Sequence, residues 1–289
     1  MQTGRASPKD STLRASRISM RAGLLPAYRI GRVSPVLRSW HSLLLCLTLL
    51  FLHVADATLG PGLAADPDRL LFIRPEDQRS VLFAAVDAGR SVFLTAGSKQ
   101  TLVAPLDRSG FVIMETSGFG LTRETTWREG AQLPTIRLTT QTSVIVGHQW
   151  NLDRLYLAGF IGPEILHEQL TIAGQAFRFS EPRYGAKAQF ELWSNPTPNT
   201  LLTGSAVGTT TNMSLWVRGS AGIRIWSSLY AGPELAAYAT RTYQETKVGA
   251  HVTGFQLGIV QGRVSAGWMM TDEKRPGSPY LSATAWIRM

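Results

Sequence analysis

The 289-residue chain has a single cysteine, Cys46, inside the apolar run Leu43–Leu52. Nothing after that run can form a disulfide framework or a cysteine metal site. Histidine is also scarce: beyond residue 57 there are only His148, His167 and His251. None of them sits in a Gly-x-Ser-x-Gly elbow or a His-Glu-x-x-His helix. No metal or other cofactor is therefore expected. No apolar run of roughly 18 residues occurs after Ala57, so no helix is expected to span a membrane. A long amphipathic helix cannot be placed either. Gly and Thr are frequent, which suits strands and turns better than helices.

The formal charge of +9 points at first to nucleic acid. Its distribution points away. Residues 1–57 hold eight Lys/Arg against two Asp/Glu, whereas residues 58–289 hold 21 against 18. The basic excess lies mostly in the leader, so no nucleic-acid partner is expected. Arg21, Arg29, Arg32 and Arg38 precede the run of ten apolar residues, and small-x-small sites follow at Ala55–Ala57 and Leu63–Ala65. That order describes a secretory signal peptide over residues 1–57, with cleavage as late as 65. The long basic stretch leaves Met20 as an alternative start, and an N-terminal membrane anchor as the alternative reading. A lipoprotein would need a small residue before Cys46, and Leu45 stands there. Residues 58–79, rich in Pro, Asp and Arg, read as an extended N-terminal segment. Residues 80–289 read as one β domain.

That domain alternates with a period of two. Leu155, Leu157, Gly159, Ile161 and Ile165 share one face, with Tyr156, Ala158, Phe160, Gly162 and Glu164 on the other. Ala186, Ala188, Phe190 and Leu192 oppose Lys187, Gln189, Glu191 and Trp193. Met213, Leu215, Val217 and Ile223 oppose Ser214, Trp216, Arg218 and Arg224. The same pattern sets Val264, Trp268 and Met270 against Arg263 and Ser265, and Leu281, Ala283 and Ile287 against Tyr280, Ser282, Trp286 and Arg288. A soluble sandwich also alternates. Segments of about 9–13 residues, however, match a tilted strand crossing a bilayer better than the usual strand of five or six. Hydrocarbon gives no partner to an open sheet edge, so a spanning sheet must close. The fold expected is an all-β, antiparallel transmembrane barrel of outer-membrane type, with about 12 strands and ten as the alternative.

Short links are expected at Gly89–Arg90, Leu106–Ser109, Asn151–Asp153, Asn195–Pro198, Trp226 and Gly258–Val260. Longer ones are expected at Thr125–Leu138, Glu168–Pro182 and Asp272–Ser278. Both chain ends then fall on the periplasmic side. Gly-Pro-Glu occurs twice, at Gly162–Glu164 and Gly232–Glu234, and the face parity runs through both copies without a slip. A turn is the plain reading. Within a closed sheet the same three residues predict a bulge or local widening, with both glutamates pointing inward. Trp150, Trp193, Trp226, Trp268 and Trp286 fall near expected strand ends, as interfacial aromatic belts do.

The stretches "PLDRSGFVIMETSGFG", "GHQWNLDRLYLAGFIGPE", "RYGAKAQFELWSNPTPNTLLTGSA", "LYAGPELAAYATRTYQETKVGAHVTGFQLG" and "SAGWMMTDEKRPGSPYLSATAWIRM" resemble the cellulose biosynthesis protein BcsS family. The resemblance covers roughly Val81 to Met289. It implies an alphaproteobacterial outer-membrane protein associated with cellulose synthesis and secretion, and it carries over no catalytic residue. Many outer-membrane barrels end in an aromatic residue, whereas Met289 stands last here.

The candidate site is the inward polar set Glu164, Lys187, Gln189, Glu191, Arg218, Arg224, Glu234, His251, Arg263 and Arg288. A lumen-filling network is one reading, since an unpaired charge there is costly. A polar passage or glucan contact is the other, with Gln189, Glu191, Trp193, Trp216, Tyr230, Tyr238 and Trp286 supplying amide, carboxylate and aromatic groups. The partners expected are outer-membrane lipid, cellulose and the cellulose synthase and export machinery. The role expected is export or anchoring of the polymer, without catalysis. Two alternatives stay open. One is a periplasmic or surface cellulose-binding adhesion protein. The other is an outer-membrane lipid or glucan hydrolase, using His251 with Ser214 or Ser265, or Glu164 facing Glu234.

Overall fold

The computed structural model describes residues 78–128, 130–172, 178–271 and 276–289. The leader expected at 1–57 and all but Gln78 and Arg79 of the segment expected at 58–79 lie outside them. In chain order the strands are β1 (Ser80–Ala88), β2 (Ser91–Thr101), β3 (Gly110–Arg128), β4 (Ala131–Leu152), β5 (Leu155–Ile172), β6 (Arg178–Phe179), β7 (Arg183–Ser194), β8 (Thr200–Thr209), β9 (Ser214–Trp226), β10 (Leu229–Ala239), β11 (Gln244–Leu257), β12 (Val260–Thr271) and β13 (Ser278–Arg288). The two-residue β6 lies against β5. The other twelve form one antiparallel ring, closed by β1 against β13 and by β4 against β5.

Closure is tight at the chain ends. The Arg79 and Ser80 amides donate to the Met289 carbonyl at 2.7 and 2.8 Å, and the Met289 amide donates to Ser80 at 2.8 Å. The first and last strands thus leave no free edge between them.

The two-residue period sorts side chains as the sequence predicts. Ile161, Val217, Leu235, Val248, Val264 and Leu281 are exposed on the outer wall. Ala158, Phe160, Glu164, Glu234, His251 and Arg263 are buried on the inner one. An exterior of this kind left in water would forfeit about 25 cal/mol for each Å² of apolar surface. Hydrocarbon removes that cost, and twelve is an even count, as bacterial transmembrane barrels have. No described helix is long and apolar enough to cross a membrane, which says nothing against crossing by strands. The domain is a closed transmembrane β-barrel of outer-membrane type. One acid breaks the exterior pattern: Glu115, cross-strand from Ser98 and Val144, is exposed on the outer wall.

Three expectations are corrected. Thr125–Leu138 is not a loop. It belongs to a hairpin in which 19-residue β3 and 22-residue β4 pair as far as Arg128 and Ala131. Pro134 does not interrupt it, because the β4–β5 pairing stops at Thr135. Neither Gly-Pro-Glu forms a turn or a bulge; pairing lapses locally at each, and both glutamates are buried inside as expected. The register across each is unchanged, and the ladder to the preceding strand lacks only the pairs opposite Gly162–Pro163 and Gly232–Pro233. Proline has no N–H to give that ladder. The glycine lets the neighbouring backbone approach: a Cβ at Gly162 would stand 2.3 Å from the Val144 carbonyl, and one at Gly232 2.0 Å from that of Ala221. The irregularities fall elsewhere, between Leu229 and Tyr230 and between Thr253 and Phe255. Gly254 occupies the latter with a φ of 90°, which only glycine adopts freely. Finally, the end bearing both termini does not carry only short turns. Its Leu102–Ser109 connection folds back under the lumen, where its Leu106 and Arg108 carbonyls accept bonds from the Gln149 side chain at 3.0 and 2.7 Å.

Replacing Ile161 by Arg is expected to cost about 2–4 kcal/mol in urea unfolding from lipid vesicles. Replacing Glu115 by Val is expected to cost nothing. Equal losses at both positions would contradict the assigned outer wall.

Candidate functional site

The inner wall gathers most of the inward polar residues, and the contacts run across the lumen rather than along it. Glu234 of β10 is the hub of the largest cluster. Its Oε2 accepts from Arg218 Nε at 2.9 Å, Arg263 Nη2 at 2.5 Å and Ser265 Oγ at 2.8 Å, and its Oε1 from the Tyr280 hydroxyl at 3.3 Å. Arg263 continues to Thr203 at 2.9 Å, and Thr203 lies 2.7 Å from Ser220. Five strands, β8, β9, β10, β12 and β13, are thereby tied through one carboxylate.

A second cluster joins β2 to β7. Lys99 Nζ donates to Glu191 Oε2 and to the Tyr156 hydroxyl, each at 2.8 Å, and Gln189 donates to Glu191 at 2.9 Å. A third surrounds Lys187, whose Nζ reaches Thr116 and Ser143 at 3.0 and 3.1 Å. Among the described residues Lys187 has hydroxyls and no carboxylate within ion-pair distance. Nearby Glu164 accepts from Thr211 at 2.5 Å and from Gln141, with no cation among the described residues within ion-pair distance. Near the end away from the termini, Lys247 bridges Asp87 at 2.6 Å and Glu245 at 3.1 Å. Val112, Met114, Ile145, Ala158 and Phe160 fill the space between clusters with apolar volume.

The aromatic candidates separate. Trp193 of β7 and Trp286 of β13 come from opposite walls and meet edge to face, with ring centroids 6.2 Å apart. Trp286 Nε1 also donates to Gln261 at 2.8 Å. These two are lumen residues, which corrects their expected place in an interfacial belt. Trp150, Trp226 and Trp268 do stand exposed near strand ends. Tyr238 and Trp216 pair cross-strand at the other end of the lumen, away from Trp193 and Trp286. Tyr230 joins Arg224 at the mouth near the termini, 2.8 Å from its Nη2. Arg224 and Arg288 are exposed there, not part of the buried network as expected.

His251 is hydrogen-bonded to neither Ser214 nor Ser265. His251 is buried, with Nδ1 2.8 Å from Thr253 Oγ1 and Nε2 3.3 Å from the Ala221 carbonyl. Ser265 stands opposite it across the β11–β12 pair but is hydrogen-bonded to Glu234, Arg218 and Arg263. Ser214 bonds to Thr209 at 3.3 Å. Glu164 and Glu234 belong to separate clusters. His148 faces outward between Phe111 and Trp150. No group of described His, Cys, Asp or Glu residues is arranged to hold a metal.

The sequence reading missed Lys99, Asp87 and Lys247, and it put Tyr280 on the polar face without including it in the candidate set. Lys99 lies between Ser98 and Gln100, and Asp87 has only small or apolar neighbours, so parity alone gave no strong signal there.

The model of the family described as cellulose biosynthesis protein BcsS matches residues 81–289. The chain belongs to the BcsS family. It is a barrel protein associated with cellulose biosynthesis. No curated protein sequence matches it. Among solved structures it is similar to the KdgM porin in complex with disordered oligogalacturonate, at 6% identity and a TM-score of 0.43, covering 72% of this chain and 99% of that one. It is similar to the beta domain of the Bordetella autotransporter BrkA, at 14% identity and a TM-score of 0.43, covering 72% and 97%. It is also similar to a bacterial polysaccharide outer membrane secretin, at 12% identity and a TM-score of 0.30, covering 75% and 100%. Scores of this size leave the family match and the barrel's own geometry to carry the functional reading.

Replacing Glu234 by Ala leaves Arg218 and Arg263 buried without their carboxylate and is expected to cost about 3–5 kcal/mol in urea unfolding. Replacing Arg224 by Ala, at the exposed mouth, is expected to cost at most about 1 kcal/mol. Equal costs would show that the Glu234 hub does not hold the lumen together.

Proposed function

We propose that the chain sits in the bacterial outer membrane as a closed barrel that anchors the cellulose-producing apparatus and its polymer at the cell surface, rather than conducting the polymer through its lumen. The observation that carries this is the meeting of Trp193 and Trp286 from opposite walls, backed by the Lys99–Glu191 bridge between β2 and β7. A glucan chain threading the lumen would have to break these contacts and the Glu234 hub, each with its own desolvation cost.

The apolar outer wall supports the membrane location, and the exposed Trp150, Trp226 and Trp268 near strand ends fit its two interfaces. The end bearing the termini is read as periplasmic. The opposite end, where β3 and β4 run past their neighbours, is read as facing outward. Outer-membrane lipid is then the immediate partner, with cellulose and the synthase and export machinery as the functional ones. The reading is non-catalytic, supported by His251, which among the described residues is hydrogen-bonded to Thr253 and the Ala221 carbonyl and to no serine.

Two measurements check it. The purified protein in a planar lipid bilayer is expected to give no stepwise conductance, whereas large, steady steps would mark an open channel and overturn the closed-lumen reading. In cells lacking the chain, total glucan is expected to stay level while the fraction retained on pelleted cells falls. A fall in total export with unchanged retention would contradict anchoring.

A further inference from the structure

The outer wall carries a groove of ≈ 620 Å³ that the lumen network does not explain. Its shape follows from one cross-strand row. Ile161 of β5 pairs with Ala188 of β7, Ala188 with Gly208 of β8, and Gly208 with Leu215 of β9. Two small residues thus lie between two large, exposed ones. Gly208 is not demanded by its backbone, since a Cβ there would find its nearest neighbour only at 4.0 Å. What the missing side chain provides is depth. The groove runs up to Arg241, which belongs to the Thr240–Tyr243 connection at the end away from the termini. Arg241 is exposed, and among the described residues it has no hydrogen bond or ion pair.

An apolar furrow in the hydrocarbon zone, ending at an exposed guanidinium at headgroup level, fits an anionic amphiphile. The acyl chain restores the dispersion contacts that the small residues give up. The guanidinium offers a planar fork of donors that matches a phosphate. On the outward-facing side of an outer membrane the phosphorylated lipid is lipopolysaccharide. We propose that this groove is a lipopolysaccharide site, with one acyl chain lying over Ala188 and Gly208 between Ile161 and Leu215, and Arg241 taking a lipid A phosphate. The proposal rests on the outer-membrane reading above.

The test uses the folded protein in detergent micelles with added lipid A, read by native mass spectrometry. Arg241→Gln and Gly208→Leu act on different elements and different parts of the ligand, so failure of one to fold leaves the other informative. Each is scored only on protein that keeps its heat-dependent gel mobility. About tenfold weaker retention of lipid A is expected in each variant, from loss of one charge-assisted contact in Arg241→Gln and of room for the acyl chain in Gly208→Leu. Dephosphorylated lipid A is expected to bind wild type as weakly as lipid A binds Arg241→Gln. Undiminished retention in both variants would overturn the site. Equal retention of phosphatidylglycerol and lipid A by wild type would overturn the assignment to lipopolysaccharide. A wild-type protein without heat-dependent mobility would instead sink the outer-membrane reading, and the site with it.

Discussion

The structure depends on one constraint: backbone amides and carbonyls in hydrocarbon have no water to turn to. Every strand must find two neighbours, so the sheet must return to its first strand. The β1–β13 seam, pinned by the Arg79, Ser80 and Met289 backbone bonds, is where that requirement is met. The remaining features are consistent with it. Side chains alternate between lipid and lumen, and Pro163 and Pro233 interrupt only one ladder each. Glycine beside each proline lets the neighbouring strand stay close where pairing lapses.

A closed ring creates a second problem, its interior. Twelve strands enclose more space than apolar side chains alone fill here, and the chain fills it with two kinds of matter. Val112, Met114, Ile145, Ala158 and Phe160 make an apolar core of ordinary type. Beside it, Glu234, Lys99 and Lys247 centre polar clusters that tie strands distant in the ring. A buried ion pair is weak evidence for stability in itself, since both ions are desolvated. What such clusters do is oppose alternative registers, because a one-residue slip of β10 would turn Glu234 out to lipid and leave Arg218 and Arg263 inside. The outer wall is thinned where Ala188 and Gly208 stand between Ile161 and Leu215, and there the proposed lipid would complete the packing.

Much of this was legible in the sequence, for identifiable reasons. β5, β7, β9, β10, β12 and β13 alternate cleanly enough that parity placed Glu164, Lys187, Glu191, Arg218, Glu234 and Arg263 inside. Parity does not report height along a strand. It therefore put Arg224 and Arg288 in the network when they stand exposed at the mouth, and it did not separate Tyr238 and Trp216 from Trp193 and Trp286. Nearness to a strand end was a poor guide for Trp193 and Trp286, whose faces already pointed inward. The β3–β4 hairpin was hidden by its composition. Gly130, Pro134 and the charges between Arg123 and Arg137 read as a loop, yet Arg137 is held in strand by Glu124 at 2.7 Å and Glu168 at 3.2 Å. Partners on other strands, such as Lys99 for Glu191, follow from ring order, which local alternation does not encode.

Family membership ties the chain to cellulose biosynthesis, while the contacts that cross the lumen support the proposed holding role over passage. Both readings require the ring to be closed in the membrane. Amide hydrogen exchange at the seam, over Val81–Ala88 and Leu281–Arg288 in lipid bilayers, tests that directly. Closure predicts protection there equal to that of the β9–β10 pair in the middle of the sheet. Exchange at the seam as fast as at a free edge, with β9–β10 still protected, would show an open sheet and contradict the account.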